Sequence, residues 1–189
     1  MKINNLGKSI LVLGLTSVLG SYVNADEIRG SKSKTFTNDE GNTVELRRKA
    51  GSNDAGDVGF RRGYRVTDED GNVLNRGGTA GRNNSDGSKR RIQGHERTDA
   101  EGNTQQVRRR GQTDGEGNAR AQSQRRAMNS DGDVVARARA KGHKSADGSR
   151  AGRQHKQFTD QQGRRTDVRK SARVDANGNR SARKVVRKK

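Results

Sequence analysis

The side chains best equipped for chemistry here are arginines, and they come in short runs: Arg47-Arg48, Arg61-Arg62, Arg90-Arg91, Arg108-Arg109-Arg110, Arg125-Arg126, Arg137 with Arg139, Arg164-Arg165, and Arg183-Lys184 with Arg187. A guanidinium is planar, permanently charged and able to grip phosphate or sulfate with two parallel hydrogen bonds, which an ammonium cannot do. Lysine and arginine number 41 against 22 aspartates and glutamates, a net charge of +19. Such an imbalance makes a densely negative partner the natural electrostatic counterpart. The aromatic residues beyond the first 25 are Phe36, Phe60, Tyr64 and Phe158, too few to stack a run of unpaired bases. Contact with an acidic polymer is therefore expected to be directed at its charged groups and to weaken steeply with salt.

Other chemistries fit the residues less well. Asp68-Glu69-Asp70-Gly71-Asn72 and Asp131-Gly132-Asp133 resemble fragments of calcium loops, but a calcium ion takes six to eight oxygens and these stretches offer few carboxylates and no distal glutamate. His95, His143 and His155 have no paired-histidine or cysteine spacing around them, so no metal site is expected. Serines are plentiful, yet none sits in a nucleophile elbow, and no phosphate-cradling loop of the Walker type occurs. No cofactor is implied. The reading is a non-enzymatic one.

What must position the arginines is a tandem repeat. Glycines mark it at Gly41, Gly56, Gly71, Gly87, Gly102, Gly117, Gly132, Gly148, Gly163 and Gly178, fifteen residues apart except for sixteen from Gly71 to Gly87 and from Gly132 to Gly148. Around them stand copies such as Thr98-Asp99-Ala100-Glu101-Gly102-Asn103 and Thr113-Asp114-Gly115-Glu116-Gly117-Asn118. Aspartate at the first turn position can bond its own backbone two residues on, and glycine at the fourth can take a positive φ, so the unit predicts a type I turn closed by a glycine bulge. That is a common hairpin connection. About ten residues remain between turns. Stretches such as Ala119-Arg120-Ala121-Gln122-Ser123-Gln124 and Val135-Ala136-Arg137-Ala138-Arg139-Ala140 alternate small with long polar residues, the period of a strand.

The predicted fold is therefore all-β: an antiparallel meander of about ten short strands with turns alternating between two edges. Pairing Asp99 with Asn103 sets Thr98 opposite Thr104 and His95 opposite Val107. Across the Gly132 turn the same rule sets Arg125 opposite Arg137, an unfavourable like-charge pair. A different turn or a bulge at the sixteen-residue steps would change that register. A one-unit-per-coil solenoid is the alternative, but no apolar residue recurs at a fixed offset from the glycine. An outer-membrane barrel would need an outward apolar face, which these arginine-rich stretches lack. The Asp-x-x-Gly-Asn turns resemble those of secreted bacterial hairpin-repeat proteins of the tyrosine-aspartate type, although this unit is shorter and lacks the tyrosine, and no function is carried over.

Stability is the unusual feature. Ordering each residue costs roughly 1–2 kcal/mol, whereas a fully buried valine or leucine returns about 1.5–3 kcal/mol, and apolar residues here are mostly single valines and alanines. There is no cysteine to staple the chain, and no proline. Disorder until a partner binds is the competing expectation. Residues 1–25 carry Lys2 and Lys8, an apolar run from Ile10 to Leu19 and a Val23-Asn24-Ala25 ending, the pattern of a signal peptide cleaved after Ala25. That run is short of the ~20 residues needed to span a bilayer, so the mature chain is expected in the periplasm or outside the cell, with no transmembrane segment. Residues 26–35 read as a polar lead-in and residues 36–189 as the array. Together these features point to an exported array whose arginine and lysine rows hold an acidic polymer: lipopolysaccharide, another anionic polysaccharide, or extracellular DNA. The alternative is a matrix or fibre built by self-association at exposed strand edges.

Overall fold

A computed structural model describes residues 30–160 and 162–189; the expected signal peptide lies outside the described residues. Eleven strands follow one another: β1 Gly30–Thr37, β2 Thr43–Ser52, β3 Val58–Thr67, β4 Val73–Asn83, β5 Lys89–Thr98, β6 Thr104–Thr113, β7 Ala119–Met128, β8 Val134–Lys144, β9 Arg150–Thr159, β10 Arg165–Val174 and β11 Arg180–Lys188. They form one antiparallel sheet in sequence order, with β1 and β11 at its open edges. The array is a meander, neither a stacked solenoid nor a closed barrel. Its first strand takes in residues 30–35, which the sequence places in the lead-in. Their Ser-Lys alternation pairs residue for residue with β2, from Gly30 opposite Ala50 to Thr37 opposite Thr43.

Nine of the ten marker turns are built as the repeat predicts; the Gly117 turn keeps the bond from the Asp114 amide to the Asn118 carbonyl but not one from the Gly117 amide to the Asp114 carbonyl, and its Gly115 also takes a positive φ of +84°. In the Gly71 turn the amide of Gly71 donates to the Asp68 carbonyl (3.1 Å) and the amide of Asp68 to the Asn72 carbonyl (3.1 Å). The Asp68 side chain accepts from the Asn72 backbone (2.7 Å) and from its side-chain amide (3.0 Å). The ten marker glycines have φ between +77° and +100°, the left-handed region that a side chain disfavours. Asparagine does the same work as aspartate in the Asn38, Asn53 and Asn129 turns, each accepting the amide four residues on.

Register accounts for the degeneracy of the repeat. Fifteen is odd, and strand side chains alternate with period two, so equivalent positions in successive units fall on opposite faces. Only positions two units apart share a face, which is why no apolar residue holds a fixed offset from the glycine. His95 does lie opposite Val107, and Thr98 opposite Thr104. The two sixteen-residue steps each contain a bulge. Thr67 pairs with Val73 and Val66 with Asn75, leaving Leu74 as the extra residue. Four units later Met128 pairs with Val134 and Ala127 with Ala136, leaving Val135. The expected clash of Arg125 with Arg137 is thereby shifted: Arg125 faces Ala138, and Arg126 faces Arg137.

No apolar side chain is buried among the described residues, and Thr79 is the one buried polar residue. A single-layer sheet has nothing to bury its apolar face against, so cohesion rests on the ladder, the turns and cross-strand packing. The best packing is over glycines: a Cβ on Gly77 would lie 2.8 Å from Tyr64 Cε1, and one on Gly81 would lie 2.5 Å from Phe60 Cε1. Both aromatic rings thus occupy space that only a bare backbone leaves open. Neighbouring turns on one edge are also tied together. Asp57 accepts the Ser85 amide (3.0 Å) and, four units on, Asn118 accepts the Ala146 amide (2.9 Å).

Candidate polyanion-binding surface

The register sorts the side chains onto two chemically different faces. Tyr64 shares its face with Phe36, Val44, Leu46, Val58, Phe60, Val66, Val107, Phe158 and Val168, and with no Asp or Glu. On this tyrosine face several cations, including Arg62, Arg109, Lys156 and Lys170, are half-buried. The opposite face is dominated by arginine: its lysines are Lys49 and Lys141, against Arg47, Arg61, Arg65, Arg76, Arg82, Arg90, Arg108, Arg110, Arg120, Arg126, Arg137, Arg139, Arg153, Arg165, Arg169, Arg173, Arg183 and Arg187. Every one of these cations is exposed.

Carboxylates are almost wholly confined to the turns. Among the described residues, the strands hold only Glu45, Glu96 and Asp167, and all three fall in one cross-strand row of the arginine face. That row runs Glu45, Arg65, Arg76, Glu96, Gln106, Arg126, Arg137, Gln157, Asp167, Arg187. Its acids engage nearby basic side chains: Glu96 with Arg76 at 2.7 Å, Glu45 with Arg47 at 3.3 Å, and Asp167 with the His155 ring at 2.8 Å and Arg165 at 3.3 Å. Bonds from His155 and then Gln157 hold the Asp167 carboxyl below the usual range.

Two rows away the chemistry is different. The row Lys49, Arg61, Ala80, Ile92, Arg110, Gln122, Lys141, Arg153, Ser171, Arg183 contains no acid. Like charges face each other directly at Lys49 and Arg61 and at Lys141 and Arg153, an arrangement that costs the unliganded sheet stability. Three open grooves follow this row. The first, 880 Å³, is lined by Lys49, Arg61, Ala80 and Ile92, floored by Gly63, Gly78 and Gly94, and also reached by Glu45 and Glu96 of the acidic row. The second, 1130 Å³, includes Arg110, Gln122, Lys141 and Arg153. The third, 790 Å³, includes Lys141, Arg153, Ser171 and Arg183. A groove of 320 Å³ lies on the tyrosine face beside Tyr64, Gln93 and His95.

The arginine runs singled out from the sequence are consequently divided. Arg47, Arg61, Arg90, Arg108, Arg110, Arg126, Arg137, Arg139, Arg165, Arg183 and Arg187 stand on the arginine face. Arg48, Arg62, Arg91, Arg109, Arg125 and Lys184 stand on the tyrosine face. Neighbours in a strand point opposite ways, so a dibasic pair cannot serve one ligand on one face. Arg164 belongs to neither: it lies in the Gly163 turn, with its Nε donating to Asp160 at 2.7 Å. Sequence reasoning passed over Lys49, Lys141 and Arg153 as site residues, because membership of a row depends on register rather than on local charge density. It also left His95 unconnected, whereas Tyr64 Oη lies 2.6 Å from His95 Nδ1 and donates toward Asn75 Oδ1 at 3.1 Å. Partial burial raises the Tyr64 pKa.

The turns border both edges with negative charge. Asp57 has its pKa lowered to about 2 by the Ser85 amide, then by Arg82 and Asn53; Asp114 and Asp175 are lowered chiefly by the side chains of Asn118 and Asn179. Among the described residues no cluster of His, Asp or Glu is placed to hold a metal ion, and no helix is long and apolar enough to cross a membrane. No known family, curated protein or solved structure matches this chain.

Proposed function

We propose that this chain is an exported, non-enzymatic repeat protein that binds an acidic polymer at or outside the cell envelope: lipopolysaccharide, another anionic polysaccharide, or extracellular DNA. The observation that carries this reading is the separation of charge. Exposed cations fill the strands while carboxylates sit in the turns, so a polymer over the strands meets cations with few internal competitors. Each strand adds a small contact, and many strands on one polymer convert weak contacts into avidity. Bound anions also relieve the facing pairs Arg126 with Arg137 and Lys141 with Arg153, so binding stabilises the sheet.

The test is circular dichroism and thermal melting of the mature protein with heparin, lipopolysaccharide or duplex DNA, followed by a salt titration. Tight binding at low salt that falls steeply toward physiological salt, with a raised melting temperature, supports the reading. Affinity that does not change with salt refutes it. Edge-to-edge assembly is the second reading, favoured by the open edges of β1 and β11. Lys32 and Lys34 on one edge and Arg183, Lys184, Arg187 and Lys188 on the other oppose it by charge. Concentration-dependent fibres formed without any anion would favour assembly.

A further inference from the structure

Resting on the polyanion reading, we infer that the ligand is a single-chain acidic polysaccharide bearing sulfate or phosphate groups, and that it runs across the strands on the arginine face along Lys49, Arg61, Arg110, Lys141, Arg153 and Arg183.

Four observations select this path. All six side chains are exposed, and among the described residues none makes an ion pair or side-chain hydrogen bond. Their row is free of carboxylates, whereas the row four residues away along each strand holds Glu45, Glu96 and Asp167. The three grooves succeed one another along it from β2 to β11. Neighbouring strands lie ~4.8 Å apart, so the path from β2 to β11 is about 43 Å long, and a pyranose ring advances a chain by a comparable step.

The face also discriminates between polymers. The aromatic residues Phe36, Phe60, Tyr64 and Phe158 all lie on the tyrosine face, so the arginine face offers unpaired bases no stacking platform. Arginine's fork suits the tetrahedral oxygens of sulfate and phosphate. Grooves between single rows of side chains fit one extended chain more closely than the broad cylinder of a duplex.

The experiment uses the mature protein and heparin oligosaccharides of graded length, with a phosphorylated polysaccharide and a duplex DNA in parallel arms. Two variants remove equal charge from exposed positions: Arg61→Gln/Arg110→Gln/Lys141→Gln/Arg153→Gln on the path, and Arg97→Gln/Arg125→Gln/Arg150→Gln/Lys188→Gln on the tyrosine face, outside the three grooves. Circular dichroism verifies that both keep the sheet. The path variant is expected to bind heparin about a hundredfold more weakly at physiological salt, with the slope of log K against log salt shallower by about 3. The tyrosine-face variant is expected to stay within about threefold of the parent. Parent affinity should climb with oligosaccharide length and level off near a span of about 43 Å. Equal losses in the two variants overturn the path, and so does a plateau at a tetrasaccharide, which needs no folded variant. Tight binding of duplex DNA without binding of either polysaccharide overturns the ligand class while leaving polyanion binding intact. Binding of none of the three defeats the functional reading itself.

Discussion

Gly78 and Gly94 face each other across β4 and β5 on the arginine face, yet the same substitution at the two positions is expected to change stability in opposite directions. A Cβ built on Gly78 lies 2.8 Å from the Arg62 carbonyl oxygen and 3.3 Å from Gly63 Cα, both backbone atoms that cannot swing aside. A Cβ on Gly94 meets nothing within 4 Å. Neither glycine has a positive φ, so alanine is conformationally permitted at both. Replacing glycine by alanine in a strand should gain roughly 0.5–1 kcal/mol through lower unfolded-state entropy. Gly94→Ala should show that gain. At Gly78 the methyl forces β3 and β4 apart, and such overpacking costs typically 1–3 kcal/mol, so Gly78→Ala should be net destabilising by about 0.5–2 kcal/mol. Thermal melts of the parent and two variants, followed by the strand band in circular dichroism under identical salt, give the comparison. If the two melting temperatures move in the same direction, the close approach of β3 to β4 is not what places glycine at residue 78.

Gly102→Ala should destabilise by about 1–2 kcal/mol, because Gly102 sits at φ +79° and a side chain there carries the left-handed penalty; melting temperature measures it. Deleting Val135 should leave the sheet intact, since Met128 with Val134 and Ala127 with Ala136 would become consecutive pairs. Deleting Ala138 from the same strand should disrupt it, because every later β8 side chain would change face; amide exchange across β8 separates the two outcomes. The depressed Asp57 pKa predicts pH-dependent stability of definite sign. The carboxylate's contribution is complete above its unfolded value of 3.8 and is lost as pH falls toward about 2. An acid melt of the parent should therefore show a larger drop in that window than Asp57→Asn, whose remaining drop comes from other depressed aspartates such as Asp114, Asp167 and Asp175.

The turn chemistry was legible because it is local. Asp68, Gly71 and Asn72 close their turn within five residues, and each marker glycine adopts the backbone angle its neighbours demand. His95 opposite Val107 followed from a single turn. Arg125 did not fall opposite Arg137, because nothing local distinguishes a bulge at Val135 from an insertion elsewhere in the sixteen-residue step. The first strand was missed from Gly30 to Thr35 because its Ser-Lys alternation has no apolar face, and only β2 gives its backbone groups partners.

By itself the sequence determined a fifteen-residue hairpin rhythm, a net charge of +19 and a shortage of apolar side chains, and these require an array of turns and strands without a conventional core. The tertiary structure decided which cations stand together. An odd repeat sends equivalent residues to alternate faces, and neighbours such as Arg109 and Arg110 point apart, so Lys49, Arg61, Arg110, Lys141, Arg153 and Arg183 become one row only once every register is fixed. Turn formation depends on residues a few positions apart. A row of cations depends on the accumulated pairing of nearly the whole chain.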